Sequence, residues 1–495
     1  MERCLKLIPM ARRDRWKIRA WLGWYLAVLS LVSIRPGEAA SPPPLPNIVI
    51  VFADDLGWGD LRSFGARRIR TPNLDKLARQ GTRFTSFYVS QPVCSASRAS
   101  LLTGCYANRI GIHGALPPNS KTGLHAGETT LAEMLRERGY ATAIYGKWHL
   151  GDAPQFLPSN HGFDDYLGLP YSNDMWPNHP TAKQGTYPPL PLIAGTNVIE
   201  VMPDQTQLTK RYTSRAVDFI QRNKSKPFFL YLPHSMPHVP LFASAAFKGR
   251  SKQGLYGDVI EEIDWSVGEV MKTLDRLKLS GNTWMIFLSD NGPWHSYGDH
   301  AGSAGPFREG KGSVFEGGIR VPCVMRWPGR IPPGRVSKEP AMTIDLFPTI
   351  AAQVGGALPA RPIDGLNIWP LIAGLRGARN PHGAYAFYYH QNELQAIRSG
   401  PWKLLLPHKA RGMRGRPGGE EGKPAPYDQI DVGLELYNLE RDPSEKHNIA
   451  LANPEPVSQL GLMVERFRTE LGDSLTRRAG SGARPPGRLE PADPL

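Results

Sequence analysis

Ile48-Val49-Ile50-Val51-Phe52-Ala53-Asp54-Asp55 is the stretch that decides the fold. Its six successive apolar residues leave no polar face, so the run predicts a strand covered on both sides, as in a parallel sheet between layers of helices. The run then stops at two aspartates. Because ligand sites in such sheets lie at the carboxyl ends of the strands, Asp54 and Asp55 are candidates for holding a metal ion.

Three more apolar runs, at 141–145, 228–232 and 284–289, end in the same way. The residues that follow them can hold a metal ion or an anion: Lys147 and His149, then His234 and His238, then Asp290 and Asn291. For any single pair, a helix cap or a turn is the simpler interpretation. Four strands with such endings make a shared site the better hypothesis.

Helical spacing occupies the intervals between the runs, as βαβ units require. Residues 129–138 predict one helix and residues 258–278 another, with Asp258-x-x-Glu261 resembling a capping box at its start. We therefore predict an α/β fold over residues 41–375, with a large mixed, mostly parallel sheet sandwiched by helices.

The pattern changes after about residue 375. Short alternating runs and a closing helical stretch predict a smaller α+β subdomain with an antiparallel sheet over residues 376–475. Within it, the Gly-, Pro- and Arg-rich segment 407–426 predicts an exposed loop. The composition of residues 476–495 predicts a disordered tail.

The first forty residues are typical of a targeting segment. A basic stretch at 12–19 precedes an apolar run at 20–34, which is shorter than the roughly 20 residues that span a bilayer. A cleaved signal peptide over residues 1–40 is the favoured interpretation, and an uncleaved anchor is the alternative. We expect an exported protein, either periplasmic or secreted.

Charge and cysteine content narrow the class of protein. The 495-residue chain has a formal net charge of +14, which favours anionic ligands. Nucleic acid is not expected as a partner, because no basic stripe interleaved with aromatics and no zinc-finger spacing occurs. Cys105 and Cys323 could form a bridge, but two separate buried thiols are favoured. The oligomeric state stays open.

A further segment, Cys94-Ser95-Ala96-Ser97-Arg98, precedes Leu101-Leu102-Thr103-Gly104. It places a thiol at a turn just before an apolar helical run. The positive end of the helix dipole favours an anion there, and Arg98 follows one turn later on the same side. A lone cysteine in such a place is more often a small buried hydrophobe.

The wider pattern resembles the signature of type I sulfatases, arylsulfatase A-like enzymes whose cysteine is oxidised to Cα-formylglycine by a maturation enzyme. Gly139–His149 is similar to the second signature of that family, and Gly310–Arg320 to a third stretch. Most members carry proline where this chain has Ala96, so the maturation system that reads the site stays open. The similarity extends from about residue 46 to residue 470, and it implies an alkaline phosphatase-like fold.

The carboxylate and amide side chains at the strand ends offer hard oxygen ligands, which suit Ca²⁺, or alternatively Mg²⁺, rather than zinc. The resemblance implies that a calcium ion is held by Asp54, Asp55, Asp290, Asn291 and residue 94.

Catalysis follows from the same resemblance. It implies that a hydroxyl of hydrated residue 94 attacks sulfur, that His238 together with Lys311 protonates the leaving oxygen, and that His149 takes the proton of the second hydroxyl. Catalytic roles fall on Cys94, Arg98, Lys147, His149, His238 and Lys311, and contacts with the substrate sulfate on Ser172, Lys147 and Lys311.

Two other functions compete with sulfate ester hydrolysis. One is a phosphonate or phosphate monoester hydrolase of the same superfamily. The other is a non-catalytic binder of sulfated glycans in which Cys94 is never oxidised. The natural substrate also stays open, since a sulfated glycan, a sulfolipid and a small aryl sulfate all fit.

Overall fold

A computed structural model describes residues 44–490; the predicted signal peptide and the last five residues lie outside the described residues. The strands up to residue 342 are β1 (Asn47–Ala53), β2 (Thr82–Tyr88), β3 (Thr122–Gly123), β4 (Ala141–Tyr145), β5 (Asp165–Gly168), β6 (Pro191–Ala194), β7 (Asn197–Val201), β8 (Phe228–Pro233), β9 (Thr283–Ser289), β10 (Arg320–Arg326), β11 (Arg335–Ser337) and β12 (Ala341–Met342). The four apolar runs are β1, β4, β8 and β9.

The central sheet has the strand order β11-β2-β10-β9-β1-β8-β4-β5-β6-β7, and β12 also pairs with β2. Its middle strands, from β9 through β1, β8 and β4 to β5, run parallel. Strand β10 is antiparallel to both β9 and β2, and β6 is antiparallel to β5 and β7. The predicted mixed, mostly parallel sheet is confirmed.

Helices pack on both sides of this sheet. They are α1 (Pro72–Arg79), α2 (Cys94–Thr103), α3 (Leu131–Glu137), α4 (Leu208–Arg222), α5 (Gly254–Arg276), α6 (Glu316–Ile319), α7 (Leu346–Val354), α8 (Trp369–Ile372) and α9 (Pro454–Leu471). Alternate residues of β1 enter two apolar clusters, Ile48, Ile50 and Phe52 on one side and Val49, Val51 and Ala53 on the other. Helices α2, α3 and α7 belong to the first cluster, and α1, α4 and α5 to the second.

The start of α5 differs from the prediction. The helix begins at Gly254, one turn before Asp258. The carboxylate of Asp258 instead accepts the backbone N–H groups of Gly249, Arg250 and Ser251. Asp258 therefore closes the preceding loop from inside the helix and does not cap its end.

Beyond residue 384 the strands are β13 (Tyr385–Tyr389), β14 (Glu393–Ser399), β15 (Trp402–Leu405), β16 (His408–Gly412), β17 (Asp428–Val432), β18 (Glu435–Asn438), β19 (Gly472–Asp473), β20 (Arg478–Ala479) and β21 (Gly487–Arg488). A four-stranded antiparallel sheet has the order β13-β14-β15-β18. The described residues from Leu45 onward form one compact unit.

Two expectations for this part are corrected. The segment 407–426 is not simply an exposed loop, because its first residues form β16 and pair with β17 in a hairpin. The predicted disorder of the tail is wrong for residues 476–490. Strand β20 pairs with β19 and β21 with β3, so main-chain hydrogen bonds hold this segment to the body of the protein.

Cys94, Cys105 and Cys323 are all buried free thiols, so the expectation of separate thiols is confirmed. Between residues 44 and 490, none of the helices combines the length and the apolar character that a bilayer crossing requires.

Candidate active site

The polar residues at the ends of four strands meet at one edge of the central sheet. Asp55, just after β1, donates its backbone N–H to Oδ1 of Asp290, just after β9, over 3.0 Å. The N–H of Lys147, after β4, reaches the carbonyl of Pro233 at the end of β8 over 2.8 Å. Parallel strands place their carboxyl ends together, and this is why residues far apart in the chain converge.

Cys94 is the first residue of α2, and its side chain is buried. The residue before it, Val93, offers no side-chain cap to the helix end. Burial raises the pKa of the Cys94 thiol above its ordinary value, although Lys147 and Lys311 act in the opposite direction. The thiol is therefore protonated at neutral pH, a poor state for a nucleophile.

Ala96, at the position where most sulfatase signatures have proline, is fully buried. Its backbone N–H donates to the carbonyl of Gly114 over 3.2 Å. Because proline has no N–H, it would lose this hydrogen bond. Alanine thus suits the local structure of this chain.

Arg98 projects from α2 into the cluster and is fully buried. Its Nη2 lies 2.9 Å from Oδ2 of Asp290 and 3.3 Å from Oδ2 of Asp54, and its Nη1 donates to the carbonyl of Lys147 over 3.0 Å. The guanidinium also lies over the ring of Phe52. These contacts fix a permanent positive charge beside the strand ends.

Two lysines add further positive charge to that of Arg98. Nζ of Lys147 lies 2.5 Å from Oδ2 of Asp54 and donates to Oγ of Ser172 over 3.0 Å. Nζ of Lys311 lies 2.8 Å from Oδ1 of Asp55 and 4.3 Å from the centre of the Trp294 ring. The structure thus brings Ser172 to the strand ends with the other predicted residues.

His149 is fully buried, and its backbone φ is 63°. Its Nε2 lies 2.9 Å from the carbonyl of Leu116, which can only accept. Burial, together with Lys147 and Arg98, holds the pKa of His149 well below its ordinary value, so the ring is neutral. Its proton therefore sits on Nε2, and Nδ1 keeps a free lone pair.

His238 makes its main-chain hydrogen bond through the other ring nitrogen. Its Nδ1 donates to the carbonyl of Val239 over 2.6 Å, and its Nε2 lies 3.6 Å from Oδ2 of Asp55. Burial and the charge of Lys311 lower the pKa of His238. His238 thus has Nε2 beside the carboxylate of Asp55, whereas in His149 the nitrogen without a hydrogen bond is Nδ1.

The donor set fits a hard cation. Ligand atoms of Asp54, Asp55 and His238 lie within 4.8 Å of one another, and Asn291 donates Nδ2 to Oδ1 of Asp55 over 2.7 Å. Oδ1 of Asp54 and Oδ1 of Asn291 are buried and have no hydrogen-bond partner. Burial and the charge of Asp54 raise the pKa of Asp290 to about 7. Two orphaned oxygens among crowded carboxylates are what a Ca²⁺ or Mg²⁺ ion would satisfy.

Sequence reasoning missed two groups in this site, the carbonyl of Leu116 and the ring of Trp294. Both lie on loops with no periodic pattern; the only signal for Trp294 is that it follows Asp290 and Asn291 closely. The sequence resemblance assigns the catalytic role to His238 and not to His234. His234 is buried, and burial lowers its pKa to about 3. Among the described residues its ring makes no hydrogen bond.

Comparison with known proteins supplies the family. A family model described as Sulfatase matches residues 46–356, well over half of the chain, and one described as the C-terminal region of aryl-sulfatase matches residues 381–481. The chain belongs to the sulfatase family. The resemblance inferred from the Cys94 and Lys147 motifs is confirmed.

This sulfatase is 39% identical to arylsulfatase A of Bos taurus over 466 residues, which covers 88% of this chain and 90% of that protein. It is 38% identical to N-acetylgalactosamine-6-sulfatase of Canis lupus familiaris over 481 residues, or 91% and 88% of the two chains. A crystal structure of a sulfatase from Pseudoalteromonas sp. superposes with a TM-score of 0.75 at 26% identity, covering 86% and 91%. The protein is a sulfuric ester hydrolase.

Proposed function

We propose that this sulfatase hydrolyses sulfate monoesters with residue 94, in the form of Cα-formylglycine, as the nucleophile and with a bound Ca²⁺ ion, Mg²⁺ being the alternative. The observation that carries the proposal is the convergence of Arg98, Lys147 and Lys311 with three carboxylates around the start of α2. A buried site with so many fixed charges suits a small anionic group.

Asp54, Asp55, Asp290 and Asn291 would hold the ion, with residue 94 as a further ligand. The orphaned oxygens of Asp54 and Asn291 support this assignment. A bound divalent cation supplies Lewis acidity, which polarises an oxygen of the sulfate group.

Residue 94 would act after oxidation and not as a thiol. A hydrated aldehyde supplies two hydroxyls on one carbon, so that one can attack sulfur and the other can later release the sulfate. The raised pKa of the buried Cys94 thiol supports the need for this conversion. A maturation enzyme that recognises the segment around Ala96 is therefore an expected partner.

The three cations have a common task. Arg98, Lys147 and Lys311 balance the negative charge of the group in transfer, and Oγ of Ser172 beside Lys147 orients it. Fixed donors in a site without water are worth far more than in solution, on the order of 3 kcal/mol for one donor. The carboxylates that hold these cations keep them in place before the substrate arrives.

The two histidines divide the proton transfers. Nδ1 of His149, with its free lone pair, takes the proton of the second hydroxyl of residue 94. His238, once protonated on Nε2, gives that proton to the leaving oxygen, with Lys311 beside it. The two rings form their main-chain hydrogen bonds through different nitrogens, Nε2 in His149 and Nδ1 in His238, and this difference supports the division of roles.

Two relatives, arylsulfatase A and N-acetylgalactosamine-6-sulfatase, are named for aryl sulfates and for N-acetylgalactosamine 6-sulfate as their substrates. For this enzyme we propose a sulfated glycan, with a sulfolipid as the second class. The targeting pattern of residues 1–40 supports export to the periplasm or the medium.

Hydrolysis of 4-nitrophenyl sulfate tests the proposal, with 4-nitrophenyl phenylphosphonate as the competing substrate. We expect the wild-type enzyme to prefer the sulfate and Cys94→Ala to lose turnover while keeping its circular dichroism spectrum. Preference for the phosphonate would favour the alternative hydrolase. Binding of sulfated sugars without turnover by the wild-type protein would favour the non-catalytic binder.

A further inference from the structure

We propose that Arg411, on the β16–β17 hairpin, binds a second anionic group of the substrate, carried by the sugar next to the one that bears the scissile sulfate. The inference rests on the proposed function. The group would be a carboxylate or a second sulfate ester, since both are oxyanions.

Arg411 borders the catalytic cluster through Gly312. A side chain at Gly312 would collide with the guanidinium of Arg411, so the two residues are in direct contact. Gly312 follows Lys311, and its N–H donates to the carbonyl of Pro92 over 3.0 Å, two residues before Cys94. Arg411 therefore lies beside the loop that carries Lys311, and this loop is hydrogen-bonded to the segment just before residue 94.

The hairpin is fixed to the loop that carries Lys311. The carboxylate of Glu309 accepts the backbone N–H groups of Met413 and Arg414 over 2.7 and 3.0 Å. The guanidinium of Arg411 also lies 4.9 Å from the centre of the Tyr427 ring. These contacts hold the cation at a set distance from the cluster before any substrate is bound.

Within residues 44–490 no carboxylate pairs with this guanidinium and its buried Nε makes no hydrogen bond, although the ring of Tyr427 lies beside it. Two other cations of the hairpin are paired, Arg416 with Asp428 at 2.9 Å and Lys409 with Asp431 at 4.0 Å. A partly buried guanidinium that has an aromatic face but no carboxylate as its neighbour is only partly compensated for lost water, so it gains from an incoming anion. Its planar fork suits a bidentate contact with carboxylate or sulfate.

Binding measured by calorimetry tests the inference without turnover. The proteins are full-length Cys94→Ala, its Arg411→Gln double variant and, as a matched loss of charge on the same strand, its Lys409→Gln double variant. Three probes are used. The first is N-acetylgalactosamine 6-sulfate, and the second is the same sugar linked to a uronic acid. The third is a disaccharide of the same kind in which a sulfate ester replaces the carboxylate of the uronic acid.

We expect Arg411→Gln to weaken one or both dianionic disaccharides by about tenfold or more, as loss of a charged hydrogen bond predicts, and the monosaccharide by less than about twofold. The disaccharide that loses more affinity identifies the group. Lys409→Gln should change none of the three.

Equal losses for all three probes, or no loss for either disaccharide, would overturn the subsite. The proposed function is tested separately, by turnover of 4-nitrophenyl sulfate with the Cys94 enzyme. In that enzyme, Arg411→Gln should raise KM for a dianionic substrate and leave kcat/KM for the aryl sulfate unchanged.

Discussion

The charges of single side chains nearly cancel at the start of α2. Arg98, Lys147 and Lys311 are paired with Asp54, Asp55 and Asp290. The described side chains of this cluster therefore offer little net attraction for an anionic substrate, and a divalent cation would make the site positive. In the proposed mechanism, substrate binding and turnover therefore depend on the metal ion.

Exhaustive chelation should therefore remove hydrolysis of 4-nitrophenyl sulfate, and added Ca²⁺ or Mg²⁺ should restore it. Asp54→Asn together with Asp290→Asn should lose turnover even in excess metal, because two ligand charges are gone. Asp264→Asn is the control, since Asp264 is a buried carboxylate that accepts the N–H groups of Asn73 and Leu74 instead. Full activity after chelation, with no metal in elemental analysis, would show that these carboxylates are structural.

His161 is a residue outside the cluster with a predictable effect on stability. It is fully buried, it stacks on Trp148, and burial lowers its pKa from 6.5 to about 4. Between these two pH values the unfolded chain binds the proton more readily than the folded protein. The stabilising contribution is therefore complete above pH 6.5 and is lost as the pH falls toward 4.

The variant His161→Phe keeps the stacked ring but cannot be protonated. When the pH falls from 7 to 5, we expect wild type to lose about 2 kcal/mol more unfolding free energy than this variant. Urea denaturation at the two pH values measures this difference. The exposed His447, changed to Phe, should behave like wild type. Equal acid sensitivity of wild type and His161→Phe would mean that His161 is protonated in the folded protein.

The residues that could be predicted from the sequence are those that end apolar strands. Asp54 and Asp290 follow β1 and β9 directly, so the rule for parallel sheets places them together. The carbonyl of Leu116 and the guanidinium of Arg411 belong to segments without such a rule. Their places depend on how the loops fold back over the sheet edge.

At the scale of elements, a buried ionic cluster joins the small sheet to the sulfatase motif that contains Lys311. Nζ of Lys403, on β15, lies 3.0 Å from Oε1 of Glu316 on α6 and 2.7 Å from Oε1 of Glu445. All three side chains are fully enclosed or nearly so. Burial raises the pKa of Glu445, so this carboxylate depends on the lysine to remain ionised.

Lys403→Met should destabilise the protein by about 3–5 kcal/mol, because it removes the buried cation between Glu316 and Glu445 and leaves Glu445 without this ion pair, although Arg320 still pairs with Glu316. Denaturant unfolding measures the loss. Lys409→Met, a change of the same kind at an exposed position on β16, should stay within about 0.5 kcal/mol of wild type. A loss below about 1 kcal/mol for Lys403→Met would show that the cluster does not tie the two elements together.

Element boundaries were harder to predict than element types. The apolar stripe predicts the long helix α5, and the capping-box pattern predicts that it starts at Asp258. The helix starts instead at Gly254. In the structure the same carboxylate serves a loop that the helix packs against. A short polar pattern cannot distinguish these two uses, since both satisfy free backbone N–H groups.

For the whole molecule, the ordered tail is the main departure from the sequence-based picture. Arg484 pairs with the buried carboxylate of Glu128 at 2.7 Å, and its Nη1 donates to the carbonyl of Pro362 over 2.9 Å. Strand β21 then pairs with β3. Composition alone suggested disorder, because the contacts that order this segment come from parts of the chain hundreds of residues away.

A chain that ends after Ala479 should therefore unfold with about 2–4 kcal/mol less free energy, since Glu128 loses a charged partner and β3 loses its hydrogen-bonded neighbour. Limited proteolysis should also cut more rapidly near residues 122–128. Removal of residues 491–495 alone is the matched control and should change neither property. Equal stability of the two truncated chains would mean that the tail does not support the body of the protein.

The mass of the peptide that contains residue 94, isolated from purified enzyme active on 4-nitrophenyl sulfate, shows whether Cys94 has been converted into the proposed nucleophile. We expect the peptide to carry an aldehyde or its hydrate in place of the thiol, and turnover to rise with the converted fraction. An unmodified Cys94 thiol throughout a fully active preparation would contradict the proposed nucleophile.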